Sequence, residues 1–499
     1  MNIQYKYKYY KYKIRYLILL YKKSITFNLR IYEYILDGYT QNSSHDPYYT
    51  TKLIKNDTQN CTKIKVINEI DDIKNNIRSC DSLEGELSTE KSDEILIEEK
   101  LFVIKYNDIQ INSNDLIMFT TMYGAKQSYR IKISNFDKIP SLKSLYNEEN
   151  IKTIINNYKE LVKLDWDCET NDDKTLIKYI DGTDKRFIVI GDLHGSFATF
   201  IRLLLRFKIM GIIDGMCKIQ PTYNIIFLGD IIDRGVYGFE IMIIILLLKL
   251  INPNNIFVNR GNHEEKDINY KNGFRDHIMM QFNSDNIFDL FNSSFVYSHS
   301  ALLIHNNLSN KYIYLAHGGL PLTPTGELYD SWIDKKNKII LNSEISNNIN
   351  QSNSIRWSDF YGGYDTLEVG TRGYTIGKKI IDSAKQNNIE LIIRAHQDRI
   401  SNTKILMFNN KKNDESFKSF QDIDKTDNKM SCKDFIHKLD IRNDDIYIND
   451  IKENYLPVVV LTTNTDTGRD LNHDSFAMLT FIRDDFHNSR DCSIDQNKS

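Results

Sequence analysis

Proline is scarce in this 499-residue chain, with 7 residues, and glycine contributes only 22. Collagen-like and Pro/Gly-rich disordered classes are thereby excluded. Cysteine is rarer still: Cys61, Cys80, Cys168, Cys217, Cys432 and Cys492 lie far apart and form no C-x-x-C pair. That is too dispersed for a disulfide framework or a zinc knuckle, so a reducing cytoplasmic or nuclear setting is expected. Neither charge sign dominates, since 64 Lys and Arg face 67 Asp and Glu for a net charge of −3. No global drive toward nucleic acid follows, and no nucleic-acid partner is expected. Long apolar runs are missing too. Phe239–Ile251 carries Glu240 and Lys249 and is too short to cross about 30 Å of hydrocarbon. No transmembrane segment is expected, and the run Tyr16–Tyr21 is too short for a signal-peptide core of about 7–15 residues.

What is present supports at least one sizeable core: 41% of residues are hydrophobic and 26% charged. Charge is uneven. Residues 1–30 hold Lys6, Lys8, Lys11, Lys13, Arg15, Lys22, Lys23 and Arg30 and no acid. Residues 1–100 read as a low-complexity, partly disordered N-terminal extension. Residues 101–180 read as a small strand and helix region. Alternation over 100–134 predicts strands, and apolar spacings of three and four over 141–165 predict helices. From 181 to 485 short apolar runs alternate with helical stretches, which predicts α/β layers, with polar insertions near 335–354 and 408–454. Residues 486–499 form a polar tail.

The chemistry sits at the strand ends. Phe187–Ile190 runs into Gly191-Asp192-Leu193-His194-Gly195. Asn224–Leu228 runs into Gly229-Asp230-Ile231-Ile232-Asp233-Arg234-Gly235, and Ile256–Val258 into Asn259-Arg260-Gly261-Asn262-His263-Glu264. Tyr312–Leu315 leads to Ala316-His317-Gly318-Gly319, and Leu391–Ile393 to Arg394-Ala395-His396-Gln397. In open α/β sheets the ligand crevice lies outside the strands' carboxyl ends, so these groups are expected to converge. Asp192, His194, Asp230, Asn262, His317 and His396 offer oxygen and imidazole nitrogen without thiolate, a set suited to two cations such as Mn, Fe or Zn. Asp230 is the natural bridge, because one carboxylate can serve two cations about 3.5–4 Å apart.

Taken singly, each of these is ordinary. A lone Gly-Asp is a turn, a lone His317 or His396 a satisfied core imidazole, and Trp357-Ser358-Asp359 a cap or turn. Together GDxHG, GDxxDRG and GNHE fix thirteen positions in order, each at the end of a predicted strand, and that combination decides for a site. Asp165 and Asp167 read as surface charge, and His45, His277, His305, His437, His473 and His487 as uninvolved in metal binding.

With these motifs the sequence resembles the phosphoprotein-phosphatase family of Ser/Thr phosphatases, within the calcineurin-like metallophosphoesterases. The likeness runs over roughly 185–485 on GDLHG, GDIIDRG, RGNHE, HGGL, WSD, RAHQ and the stretch Thr371–Gly377. The resemblance implies a four-layer fold, a central β-sandwich flanked by helices, with a dinuclear metal site at the carboxyl ends of the strands. One metal would take Asp192, His194 and Asp230, and the other Asp230, Asn262, His317 and His396. A metal-bridging hydroxide would attack, Arg234, Arg372 and Asn262 would bind the phosphate, and His263 oriented by Asp233 would be the general acid. The implied substrates are phosphoproteins, with regulatory subunits left unnamed. Two other functions fit the same motifs: a symmetrical dinucleoside-tetraphosphate hydrolase, and a catalytically silent phosphate-docking protein. Three departures stand out: Thr462-Thr463-Asn464-Thr465-Asp466 where the family has S-A-P-N-Y, the insertion near 408–454, and a longer connection around Gly211–Tyr223.

Overall fold

The computed structural model describes residues 101–120, 130, 132–134, 136–166, 174–323, 326–328, 351–360, 373–397, 455–461, 463 and 473–481, with strand backbone also at 28–37, 50–51, 53–57, 60–64, 338–342, 368–369, 404–409 and 417–419. The strands in chain order are β1 (Asn28–Asp37), β2 (Thr50–Thr51), β3 (Leu53–Asp57), β4 (Asn60–Ile64), β5 (Val103–Tyr106), β6 (Ile109–Asn112) and β7 (Lys174–Asp181). Then come β8 (Arg186–Ile190), β9 (Tyr223–Phe227), β10 (Ile256–Val258), β11 (Ala301–Asn306), β12 (Lys311–Ala316), β13 (Lys338–Asn342) and β14 (Asp359–Phe360). The last are β15 (Glu368–Val369), β16 (Tyr374–Ile376), β17 (Ile389–Arg394), β18 (Lys404–Asn409), β19 (Phe417–Ser419), β20 (Tyr455–Val460) and β21 (His473–Thr480).

Two sheets face each other. The smaller has six strands in the order β10-β9-β8-β21-β1-β2, and the larger has eight in the order β13-β7-β11-β12-β17-β20-β18-β19. β8, β9 and β10 run parallel, as do β12, β17 and β20, so their carboxyl ends point to one rim. Side-chain alternation explains the sandwich. In β8, Phe187 and Val189 join Leu302, Ile304, Ile313, Leu315, Leu391 and Ile393 in the core between the sheets. Their neighbours Ile188 and Ile190 face the opposite way, into a helical layer. In β12, Tyr314 and Ala316 likewise face outward, toward Ile380, Ile381 and Ala384 of the helix Lys378–Gln386. A strand buried on both faces reads as a continuous apolar run, as these do. The result is the four-layer helix–sheet–sheet–helix arrangement expected of the sequence.

The helix Gly238–Ile251 is buried almost all round, between the smaller sheet and the helix Glu148–Lys163. Its two charges are internal. Glu240 meets Arg130 from the preceding region, and Lys249 donates to the carbonyls of Pro253 at 2.6 Å and Ile256 at 2.8 Å. The longer connection after the helix Phe197–Ile209 receives the β5–β6 hairpin, where Val103 N–H donates to Gly215 O at 2.8 Å.

Two expectations need correction. Strands are expected over 100–134, yet among the described residues of that stretch β5 and β6 are the strands and Ser113–Phe119 is helical. Its first turn is fixed from outside: Ser113 Oγ accepts from Phe102 N–H, and Asp115 accepts from Ser141 N–H at 2.8 Å. Asp165 is no bare surface charge either, because it binds Lys178 Nζ at 2.6 Å and His299 Nε2 at 2.8 Å.

Candidate metal centre and active site

The segments that follow β8, β9, β10, β12 and β17 come together at the rim. Leu193 and His194 N–H both donate to Asp230 O, locking the first two motif turns to each other. Gly191 N–H donates to Thr463 Oγ1 at 2.7 Å, which ties the start of the first turn to the end of β20's chain. Glycine is demanded where these turns touch. A Cβ on Gly261 would lie 2.2 Å from Asp230 Oδ1, and one on Gly235 2.2 Å from His194 O. The backbone is also unusual: His194, Asp230, Asp233, Arg234 and His396 all have φ between 43° and 66°. Left-handed φ at non-glycine residues is costly, persists only where surroundings over-determine it, and concentrates at functional sites.

Asp230 is the centre of the arrangement. Its Oδ2 lies 3.4 Å from His194 Nε2 and 3.2 Å from His317 Nε2. Asn262 Oδ1 is 2.9 Å from both His317 Nε2 and His396 Nδ1. Asp192 Oδ1 lies 3.6 Å from His317 Nδ1 and accepts from His396 N–H at 3.2 Å. All are buried except His396, which is nearly so. His263 Nδ1 is 2.8 Å from Asp233 Oδ2, while its Nε2 faces Arg234 Nη2 at 3.4 Å. Asp233 is itself fixed by Phe274 N–H at 3.0 Å. Of the expected site residues, Arg372 lies outside the described residues and the others are gathered here.

Two donors were not singled out from sequence. Glu264 caps the second turn, its carboxylate accepting from Asp230, Ile231 and Gly261 N–H at 2.8–2.9 Å. Asp359 Oδ1 stands 3.8 Å from His396 Nε2. Both lie inside the motif strings GNHE and WSD, and their carboxylates are the signal the sequence offers.

The donors fit metal ions. Two groups have all their ligand atoms within 4.8 Å of one another: His194, Asp230 and His263, and Asp230, His317 and His396. They share Asp230, as expected of the bridge, whereas Asp192 is in neither group and His263 stands in the first. Among the described residues His317 Nδ1 makes no hydrogen bond, although it is fully buried. Such crowding of buried imidazoles and carboxylates is costly unless cations compensate it. Burial holds His194 and His396 well below the usual imidazole range, aided by the charges of Arg234 and His317 respectively. Neutral imidazole is the form that ligates metals. Asp230 stays ionised: burial opposes this, but the imidazoles of His317, His263 and His194 pull its carboxyl well below the usual range. His263 moves the other way. Burial opposes its cation, yet the carboxylates of Asp230 and Asp233 raise it above the usual value.

This geometry agrees with comparison to known proteins. The calcineurin-like phosphoesterase family profile matches residues 185–399. Those residues form a calcineurin-like phosphoesterase domain. The chain is 36% identical over 147 residues to serine/threonine-protein phosphatase T of Saccharomyces cerevisiae, covering 30% of this chain and 26% of that protein. The chain thus spans about a quarter of the length of that relative. Among solved structures, a protein serine/threonine phosphatase from Saccharomyces cerevisiae is 26% identical, with a TM-score of 0.41 over 52% of this chain and 73% of that one. A cold-active protein-tyrosine phosphatase of a psychrophilic Shewanella is 16% identical, with a TM-score of 0.30 over 46% and 70%.

Proposed function

We propose that this chain is a metal-dependent protein phosphatase that hydrolyses phosphoserine and phosphothreonine monoesters in protein substrates. The observation that carries the reading is the pair of donor groups sharing Asp230, with His263 of the first group paired to Asp233. Asp192, His194 and Asp230 would hold one cation, and Asp230, Asn262, His317 and His396 the other, drawn from Mn, Fe or Zn. When bound, two cations supply charge neutralisation for a phosphomonoester dianion and bring the pKa of water toward about 7.

The chain's own residues do the rest. Arg234, and Arg372 with it, would bind phosphoryl oxygens and favour the charge that builds in the transition state. A Ser or Thr alkoxide is a poor leaving group and needs a proton. His263 Nε2 is the donor, because Nδ1 is engaged by Asp233 and the two carboxylates favour the protonated ring against the opposing effect of burial. Asp233, held by Phe274 N–H, fixes the ring's orientation. The limits 181–485 for the catalytic region belong to the same proposal.

The test is turnover by purified, Mn-loaded full-length chain on a phosphothreonine peptide and on diadenosine tetraphosphate. Release of phosphate from the peptide with no cleavage of the dinucleotide is the expected result. The reverse preference would replace this reading by that of a dinucleotide hydrolase, and inertness toward both by that of a phosphate-docking protein.

A further inference from the structure

Glu265, immediately after the GNHE motif, has no role in the chemistry above. Its carboxylate nevertheless accepts two hydrogen bonds at one oxygen, from Arg356 Nε at 2.6 Å and from Trp357 Nε1 at 3.0 Å. Arg356 is 3% exposed and Glu265 20%, so this is an interior ion pair with one edge toward solvent. The two donors close the helix Gln351–Trp357. The same helix end accepts Gly318 and Gly319 N–H at Ile355 O, at 2.8 and 2.9 Å, directly after His317. The Trp357 indole stands edge-on to the His396 ring, with centroids 5.8 Å apart and planes at 82°. On the other side, Glu265 N–H donates to Asn262 O at 3.2 Å. One carboxylate therefore links the loop carrying Asn262 to the ring that packs against His396. His396 needs such support, because its φ of 66° is not one its own backbone favours.

We propose that Glu265 is a positioning residue for the cation site built on Asp230, Asn262, His317 and His396: it anchors Trp357 through the indole N–H, and Trp357 holds the His396 imidazole with Nδ1 toward Asn262. The inference rests on the metal-site reading above. Arg356 fixes the Glu265 carboxylate in place, so a planar acceptor at the same position keeps most of the effect and a methyl group loses it. Groups that orient metal ligands typically change affinity by about 10–100-fold when removed.

The test is titration of the metal-free full-length chain with Co(II), followed by visible d–d absorption, for wild type, Glu265→Ala and Glu265→Gln. One of the two binding steps is expected to weaken by roughly 10-fold in Glu265→Ala with an altered band shape, and to recover most of the affinity in Glu265→Gln. Wild-type affinity and spectrum in Glu265→Ala would overturn the inference while leaving the metal site intact. Failure of wild type to bind cobalt would overturn the metal-site reading and this inference with it. Should circular dichroism find Glu265→Ala unfolded, Trp357→Leu removes the ring while keeping the Glu265–Arg356 pair. The same loss is then expected, and unchanged cobalt binding would refute the proposal.

Discussion

Removing the Glu240 carboxylate tests how the region before the phosphoesterase domain is joined to it. Arg130 Nη1 and Nη2 donate to the two oxygens of Glu240 at 2.9 and 2.7 Å, and Tyr146 Oη adds a third bond at 2.7 Å. Both charged side chains are essentially buried, at 1% and 2% exposure. Arg130 also donates to Val236 O at 2.7 Å, two residues beyond Arg234. In Glu240→Ala the guanidinium stays buried with the Val236 carbonyl as its named acceptor, and the Tyr146 hydroxyl loses its own. Breaking a buried pair from one side costs about 3–5 kcal/mol, a large part of the roughly 5–15 kcal/mol that holds a domain folded. Replacing both charges with apolar side chains is often neutral or stabilising, so Arg130→Met/Glu240→Leu is expected to regain most of the loss. Urea unfolding of full-length wild type, single and double variants, followed by circular dichroism, measures this. A loss below about 1 kcal/mol in Glu240→Ala, or a double variant no better than the single, would refute the reasoning.

Further outcomes follow from the same geometry. His263→Asn is expected to lower phosphopeptide kcat by about 10²–10⁴-fold while metal content holds, and unchanged turnover would remove His263 as the acid. Dialysis against a chelator should abolish turnover, with added Mn restoring it; full activity after complete metal removal would contradict a metal-dependent reaction. Gly261→Ala should cost both metal content and activity, since the new Cβ would meet Asp230 Oδ1 and N at 2.2 and 2.4 Å. The last concerns pH. Burial lowers the His299 imidazole to about 4, despite the hydrogen bond to Asp165, against about 6.5 unfolded. A depressed folded value means stability that is full above about 6.5 and lost as pH falls toward about 4, about 2 kcal/mol of it between pH 7 and 5. His299→Gln should flatten that part of the urea-midpoint profile, and an unchanged slope would assign the loss to other groups.

The site was legible because its signals are local. Each ligand lies just past a short apolar run, with a glycine directly before Asp192, Asp230 and Asn262, and strand ends converge by topology, so Asp192, His194, Asp230, Asn262, His317 and His396 could be named from the chain alone. The layering was legible for a similar reason: runs such as Phe187–Ile190 are apolar on both faces, which requires cover on both, whereas the two-sheet sandwich came only with the family resemblance. What escaped are pairings between distant residues. Arg130 and Glu240 are 110 positions apart, Glu265 and Arg356 are 91, and Asp165 and His299 are 134. Nothing in the flanking residues announces such partners, and Asp165 read alone is an ordinary surface carboxylate. The helix Ser113–Phe119 escaped for a related reason, since its first turn is set by hydrogen bonds from Phe102 and Ser141 rather than by its own periodicity.

The most direct measurement is the cation content of the purified full-length chain and of Asp230→Asn, by elemental mass spectrometry after equilibration with Mn and desalting. Because one carboxylate joins both donor groups, wild type is expected to retain about two ions per chain and the variant to lose both sites together. Retention of the wild-type complement by Asp230→Asn, or an empty wild type, would contradict the account.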